Sequence, residues 1–275
     1  MSFLPFPDPY EFELSTARYR AFGTDLANLW HEGGLHRVIA GQEVRIQAAQ
    51  GGVDVHPLDP AIEPAVRKLL GAEFDLDSFY GFAKGDRVLA RLVGELRGLR
   101  PPIAVEPFES LVTSITAQQV SLHAAFAIRN RLIERYGVRA EHAYAFPTRE
   151  RLALAEPDEL AALGFSRRKA DYVVGLARSD LDLLALAVLP DDEVKTQLTA
   201  LPGIGEWTAD WFLARHLGRP EAWPADDLAV RKAVSRFYGK GRDLATEEVR
   251  GIGERFAPFQ NLTAHYLLAG LLLGA

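Results

Sequence analysis

Apolar and polar residues alternate over short stretches of the first hundred residues, as they do in half-buried β-strands. Residues 44–48 and 53–55 form two such stretches on either side of a Gln-Gly-Gly turn, and this arrangement predicts a β-hairpin. A shorter alternation at 11–14 predicts one more strand. Helical periodicity follows in three stretches, at about 60–70, 75–83 and 86–98. We therefore expect residues 1–100 to form an α+β domain with a small antiparallel sheet.

From about residue 101 onwards the hydrophobic period is that of α-helices. Ser121, Ser166 and Thr246 stand where N-caps are expected, and Gly137 stands where a helix should end. The predicted helices lie at about 107–116, 121–136, 149–155, 157–164, 167–177, 191–201, 206–218, 228–238, 247–256 and 261–273. The prediction is a mainly α protein, with a helical domain at 101–275 following the α+β domain.

A tight turn, Pro202-Gly203-Ile204-Gly205, separates two of these helices. Glycine on both sides of Ile204 allows positive φ angles and leaves room for a close neighbour. The next helix begins at once with Glu206, so its first N–H groups have no partner in the helix and lie at the positive end of the helix dipole. The turn is therefore expected to bind phosphate. An ordinary joint between two helices has a similar composition, so the turn alone does not decide the function.

The composition restricts the chemistry that the chain can perform. Its 275 residues carry a net charge of −6 and include no cysteine, which excludes disulfides, thiolate nucleophiles and cysteine-ligated iron–sulfur clusters. The amino terminus lacks the basic segment of a signal peptide, and the apolar run at 267–273 is too short to span a bilayer. A cytoplasmic protein is expected. His31, His36 and His56 lack the spacing of metal ligands and are expected to be structural or on the surface.

Several motifs together resemble the helix–hairpin–helix DNA glycosylase superfamily. They are Leu-Pro-Gly-Ile-Gly at 201–205, Trp207 after it, and Pro-Ala-Asp-Asp at 224–227. The stretch Ser-Ile-Thr-Ala-Gln-Gln-Val-Ser at 114–121 is similar to the AlkA-like 3-methyladenine DNA glycosylase II branch. The resemblance covers about 108–268 in matching order, and it implies the helical bundle of that superfamily.

The resemblance implies a monofunctional DNA glycosylase that flips alkylated purines, such as 3-methyladenine, out of double-stranded DNA and hydrolyses the N-glycosidic bond in base excision repair. Such a bond breaks through an oxocarbenium-like sugar, which needs a nearby anion more than a strong base. The superfamily's essential aspartate matches Asp227, four residues before Arg231. Asp226 matches the first aspartate of the branch's pair, and its alternative role is to cap the following helix, although either carboxylate suits a cap.

Trp207 stands where lyase members of the superfamily have a lysine that forms a Schiff base with the sugar. Water is therefore the expected nucleophile, and no lyase activity is expected. The resemblance implies no required cofactor, and the lack of cysteine separates the chain from relatives that carry an iron–sulfur cluster.

Trp207 and Trp211 lie four residues apart on one helix face, and the resemblance places both in the base pocket. Alkylation makes a purine cationic, and indole faces attract such a ring by about 1–2 kcal/mol. Aromatic residues at this spacing also pack in cores, so that alternative stays open. The branch has a tryptophan on the last helix where this chain has Leu268, so we expect a pocket that is more open or differently selective.

The resemblance assigns further DNA contacts. Gln119 matches the wedge that fills the gap left by a flipped nucleotide, with a plain polar joint between helices as the alternative. The hairpin at 202–205 would hold a DNA phosphate. The main-chain carbonyls of Thr199, Leu201 and Ile204 would bind a monovalent cation, sodium or potassium, beside it.

Two other functions remain open. The first is a helix–hairpin–helix glycosylase for a deaminated, etheno or oxidised base. The second is a noncatalytic module that uses the hairpin only to bind DNA. In each case we expect a monomer that binds double-stranded DNA in the cytoplasm, at the nucleoid, without a membrane partner.

Overall fold

A five-stranded antiparallel sheet forms the first part of the chain, in a computed structural model that describes residues 2–274. Its strands are β1 (Ser2–Pro5), β2 (Leu29–His31), β3 (Gly34–Ile39), β4 (Gln42–Ala49) and β5 (Gly52–His56). The strand order across the sheet is β1-β5-β4-β3-β2. The predicted hairpin is confirmed, because β4 pairs with β5 from Ala49 opposite Gly52, and Gly51 in the turn has a φ of +77°.

Helices make up most of the remaining chain, so the prediction of a mainly α fold is confirmed. They are α1 (Phe12–Thr16), α2 (Arg18–Ala21), α3 (Glu63–Leu69), α4 (Leu76–Ala83), α5 (Arg87–Glu95), α6 (Pro107–Ala117), α7 (Leu122–Tyr136), α8 (Arg149–Ala153), α9 (Pro157–Ala162), α10 (Arg167–Arg178), α11 (Asp191–Thr199), α12 (Glu206–Arg215), α13 (Leu228–Tyr238), α14 (Thr246–Glu254) and α15 (Gln260–Leu273). Two short strands also pair, β6 (Val138–Arg139) and β7 (Tyr144–Ala145). Across residues 2–274, no helix is long and apolar enough to cross a membrane.

The predicted caps are confirmed with one exception. The Ser121 hydroxyl accepts a hydrogen bond from the Ala124 N–H at 3.2 Å and so begins α7. Thr246, however, is the first residue of α14 and not its cap. The Glu248 carboxylate accepts the N–H of Ala245 at 2.9 Å, which fixes the helix start one residue earlier than predicted.

The strand predicted at 11–14 is wrong, because these residues lie in and just before α1. Glu11 caps this helix by accepting the Glu13 N–H at 3.4 Å. Phe12, Ser15 and Thr16 are buried, which is the spacing of one helix face. An alternation of only four residues fits the first turn of a helix as well as a strand, and the burial of positions three and four residues apart decides between them.

Two of the three buried apolar clusters in residues 2–274 form most of the core. The smaller lies between the sheet and α3, and the larger fills the helical bundle. Phe79 of α4 and Leu92 of α5 belong to the larger core, together with Phe212 of α12 and Tyr266 of α15. The domain division at residue 100 stays a prediction. Helices α4 and α5 precede that position and contribute to the core of the helices that follow it.

A buried ionic network joins the sheet to the helical bundle. The Glu109 carboxylate on α6 accepts hydrogen bonds at 2.6 Å from Arg37 on β3 and from Arg129 on α7. Arg129 also pairs with Asp25, and Arg37 donates to Asn28 at 2.6 Å. Buried charges persist only when they are paired in this way. The network therefore fixes the N-terminal sheet against the two helices α6 and α7.

His216 at the end of α12 should make the stability of the fold depend on pH. It is buried and donates from Nδ1 to the Ala104 carbonyl at 2.9 Å. Burial, and to a smaller extent the charge of Lys68, lower its pKa from 6.5 to about 3. The unfolded chain gains this proton near pH 6.5 and the folded chain does not, so stability falls as the pH drops through this window, by up to about 1.4 kcal/mol per pH unit.

We expect His216→Asn, which can keep the hydrogen bond to Ala104, to remove this dependence. Urea unfolding between about pH 6.5 and pH 5 should show the free energy of unfolding of the wild type falling by about 1.6 kcal/mol more than that of the variant. Parallel pH profiles for the two proteins would contradict the assignment of a neutral, buried histidine.

Candidate active site

A cavity of about 610 Å³ opens where the helical bundle meets the segment around α2. Side chains from α6, α7, α12 and α15 and from the start of α13 line its walls. The predicted residues Asp227, Trp207, Trp211 and Leu268 all lie in this lining, so the structure brings the predicted pocket together. The predicted wedge and the phosphate-binding hairpin lie outside the lining.

Asp227 is held in one orientation by four hydrogen bonds. Its Oδ1 accepts the backbone N–H groups of Ala229 at 2.8 Å and Val230 at 3.0 Å, and so caps α13. Its Oδ2 accepts the indole N–H groups of Trp207 at 2.8 Å and Trp211 at 3.0 Å. These donors and the positive end of the α13 dipole stabilise a negative charge at the cavity wall.

Asp226 does not take part in this arrangement. It is exposed, lies outside the cavity lining and pairs with Arg250 at 3.5 Å. The alternative that Asp226 caps α13 is wrong, because the cap is Asp227. One carboxylate thus forms the cap and faces the cavity, and its catalytic role stays a prediction.

The two tryptophans meet the carboxylate with the N–H edges of their indoles. Trp211 is buried, and one face of its ring is covered by Arg215, whose guanidinium carbon lies 3.5 Å from the ring centroid. Trp207 is half-buried and belongs to the edge of the core. Stacking of a cationic base on these rings stays a prediction. At Trp211 the base would stack either on the ring face that Arg215 does not cover or on the guanidinium of Arg215.

Several polar residues of the cavity were not predicted from the sequence, and Arg18, Arg215 and His265 are among them. Arg215 follows Trp211 by four residues on the same face of α12, so helical spacing could have indicated it. His265 precedes Leu268 by three residues on α15, and its ring stands edge-on to Trp211 with centroids 5.9 Å apart. Arg18 reaches the cavity from α2, and no local pattern in the sequence indicates that approach.

The turn between α6 and α7 carries the predicted wedge at its tip. Gln119 is exposed and has a φ of +53°, which is uncommon for a residue other than glycine. Gln118 donates from Nε2 to the Gly203 carbonyl at 2.9 Å and to the Thr208 hydroxyl at 3.3 Å. The wedge turn is therefore joined directly to the hairpin. The wedge role of Gln119 stays a prediction.

The two hairpin glycines have different structural roles. Gly203 has a φ of +84°, and a Cβ there would lie 2.1 Å from the Tyr172 ring. The expectation of a positive φ at Gly205 is wrong, because its φ is −104° and an added Cβ would meet no atom within 4 Å. Gly205 is the N-cap of α12, and as a glycine it has no side chain that could cap that end. The first N–H groups of α12 are thus left for an anion from outside the chain.

The predicted cation site consists of main-chain carbonyls next to the hairpin. Thr199 ends α11, and the last carbonyls of a helix lack partners within it. The Leu201 carbonyl accepts the Ile204 N–H at 3.2 Å and retains a second lone pair. Backbone carbonyl oxygens are ligands that suit potassium. These carbonyls therefore fit the predicted cation site, which stays a prediction.

His31, His36 and His142 come together between β3 and the β6–β7 pair, with ring centroids between 4.5 and 5.5 Å apart. The Glu43 carboxylate accepts from Nδ1 of His36 at 2.7 Å. Within the described residues, no group of three histidine, aspartate or glutamate side chains is arranged to hold a metal ion. The histidines therefore form a contact between the sheet and the loop after α7.

The fold, the glycine hairpin and the aspartate at the start of α13 define a helix–hairpin–helix DNA repair protein. Residues 112–258, more than half of the chain, match the model of the HhH-GPD superfamily base excision DNA repair proteins. The chain belongs to that superfamily.

The chain is also similar to individual DNA glycosylases. DNA-3-methyladenine glycosylase 2 of Escherichia coli is 31% identical over 212 residues, which are 74% of this chain and 72% of that protein. The solved 3-methyladenine DNA glycosylase from Archaeoglobus fulgidus superposes with a TM-score of 0.89 at 28% identity, over 98% of both chains. The Schizosaccharomyces pombe 3-methyladenine DNA glycosylase Mag1, solved in complex with abasic DNA, has a TM-score of 0.59 at 29% identity and covers 68% of this chain and 92% of its own.

Proposed function

We propose that this protein is a monofunctional DNA glycosylase that removes alkylated purines from double-stranded DNA. The observation that carries the proposal is the Asp227 carboxylate, which four donors hold at the wall of a cavity of about 610 Å³. The relatives named for 3-methyladenine support the class of base. The solved complex of one relative with abasic DNA supports DNA as the partner.

The reaction follows from the charge of Asp227. When the N-glycosidic bond breaks, its electron pair leaves with the base, and an alkylated cationic base departs as a neutral molecule. Positive charge develops on the sugar, and a fixed carboxylate nearby stabilises it without forming a bond. Water then adds to C1′ and loses one proton, which leaves an abasic site. Because the hydrogen bonds of Asp227 exist before the reaction, little reorganisation is needed at the transition state.

The docking surface of the protein, which contacts DNA, would include the hairpin and the wedge turn. The free N–H groups at Gly205 and Glu206 would bind a phosphate. The carbonyls of Thr199, Leu201 and Ile204 would hold a monovalent cation, which would add positive charge at this site. Gln119 would fill the space of the flipped nucleotide. The bond from Gln118 to the Gly203 carbonyl fixes the distance between these two elements.

No lyase activity is expected. A lyase needs an amine beside C1′, and among the described residues that line the cavity there is no lysine. The indole of Trp207, at the position where lyases carry lysine, donates to Asp227 instead. Borohydride treatment during turnover on lesion-containing DNA should trap no covalent protein–DNA adduct. A trapped adduct would contradict the monofunctional mechanism.

The function is tested with methylated duplex DNA and chromatographic analysis of released bases. Release of free methylated purines, with abasic sites in equal amount, is the expected result. DNA binding without release of a base from methylated, deaminated, etheno or oxidised duplexes would favour a noncatalytic module and overturn the proposal. Release of nonalkylated bases alone would support glycosylase activity but contradict the proposed substrate class.

A further inference from the structure

Two arginines line the cavity without an ion pair. Arg18 and Arg215 both belong to the lining, and the buried Nε of Arg215 has no hydrogen-bond partner among residues 2–274. The Asp227 carboxylate, whose charge acts on Arg215, already accepts hydrogen bonds from the start of α13 and from the two indoles. Half-buried guanidinium groups without partners are costly, and in a binding cavity they indicate a ligand with acceptor atoms.

Arg215 is fixed in position by Trp211. Its guanidinium carbon lies 3.5 Å from the indole centroid, so the cation rests on the ring that also donates to Asp227. Asp227 belongs at the sugar end of a flipped nucleotide. A base that extends from there along Trp211 brings its edge farthest from the sugar to Arg215, and that is the Watson–Crick edge that glycosylases read.

His265 adds a neutral polar group to the same wall. It is nine-tenths buried, and its Nε2 has no hydrogen-bond partner among the described residues. Burial, and then the charges of Arg215 and Arg18, hold its pKa well below the usual range. Arg18 and Arg215, by contrast, are charged groups of the lining that donate hydrogen bonds and accept none.

A donor that faces C6 discriminates between purines by the group that is attached there. Guanine-type bases carry a carbonyl oxygen there, which accepts from a guanidinium, as guanine O6 does where arginine reads it in the major groove. Adenine-type bases carry an amine, whose hydrogens would face the arginine hydrogens and leave donors on both sides unpaired. Arg215 itself offers only donors to that amine, and Leu268 of the same lining is apolar and adds no acceptor.

We propose that Arg215 is a specificity-determining residue that reads the C6 carbonyl of the flipped base, so that the enzyme favours methylated guanines over methylated adenines relative to a pocket without it. This inference rests on the proposed function.

Duplex DNA treated with N-methyl-N-nitrosourea provides the test, because one digest contains 3-methyladenine, 3-methylguanine and 7-methylguanine. We expect Arg215→Met to lower the single-turnover release of both methylguanines by about tenfold and that of 3-methyladenine by less than about threefold. Arg215→Lys keeps the charge but loses the planar fork, and should lower methylguanine release by about threefold. Arg97→Met is the control, because Arg97 is exposed, lies 5.4 Å from the Tyr80 ring and is outside the cavity lining.

The outcomes separate this inference from the function on which it rests. A wild-type enzyme that releases none of the three bases refutes the proposed function. If the wild type releases them and Arg215→Met slows all three equally, Arg215 acts only by packing or stacking, and the inference is overturned. A larger loss for 3-methyladenine also overturns it. Thermal unfolding of each variant identifies a loss of folded protein, and the ratio of bases released within one digest is independent of the folded fraction.

Discussion

Asp227→Asn is expected to lower the single-turnover rate of base release by about 10²–10³-fold, while binding to abasic DNA changes by less than about threefold. The substitution removes the negative charge that stabilises the sugar cation and preserves the size of the side chain. An asparagine oxygen also caps helices well, so α13 should retain its start. The rate loss therefore reports the charge.

Stability should respond in a separate way. An asparagine whose oxygen caps α13 turns its amide N–H₂ towards the indoles of Trp207 and Trp211, which donate to Oδ2 in the wild type. Leaving these donors unpaired should lower the free energy of unfolding by about 1–3 kcal/mol, measured in urea. Asp226→Asn is the matched control, since Asp226 lies on the surface beside Arg250 and should change neither quantity appreciably. Full activity in Asp227→Asn, or an equal loss of activity in Asp226→Asn, would contradict the mechanism.

The helices of this fold could be predicted because their signals are local. The Ser121 cap and the glycine after α7 lie within a few residues of the ends they determine. The β4–β5 hairpin was predictable for the same reason. The strands β1, β2 and β3 were missed, since they are short or buried on both sides and show no alternation, and the segment at 11–14 shows that four residues do not separate a strand from a helix.

The candidate site depended on a different source of information. The aspartate and the hairpin could be named from their resemblance to a superfamily, and the structure places Asp227 against both tryptophans. The sequence motif does not show how these side chains contact each other. In the structure, both indoles donate hydrogen bonds to the carboxylate through their N–H groups. Arg18 and His265 join the cavity from α2 and α15, far apart in the chain, and only the tertiary packing brings them together.

Gly203→Ala is expected to lower both the stability of the protein and its affinity for DNA. The new Cβ would lie 2.1 Å from the Tyr172 ring at a φ of +84°, so the hairpin or the tyrosine must move. Backbone strain and overpacking together should lower the free energy of unfolding by about 2–4 kcal/mol. Because the Gly203 carbonyl accepts from Gln118, the shift should also reach the wedge turn, and affinity for abasic duplex DNA should fall by about tenfold or more.

Gly205→Ala separates the two effects. Its backbone has an ordinary φ of −104° and the new Cβ would meet no atom of the chain within 4 Å, so stability should change by less than about 1 kcal/mol, the usual cost of alanine at an N-cap. The Cβ would nevertheless project where a phosphate must approach the first N–H groups of α12. Urea unfolding and fluorescence anisotropy on the same preparations should therefore show Gly205→Ala losing affinity while remaining stable, and Gly203→Ala losing both. If Gly205→Ala binds abasic DNA as tightly as the wild type, the hairpin does not hold the phosphate through its backbone, and the docking surface must lie elsewhere on the helical bundle.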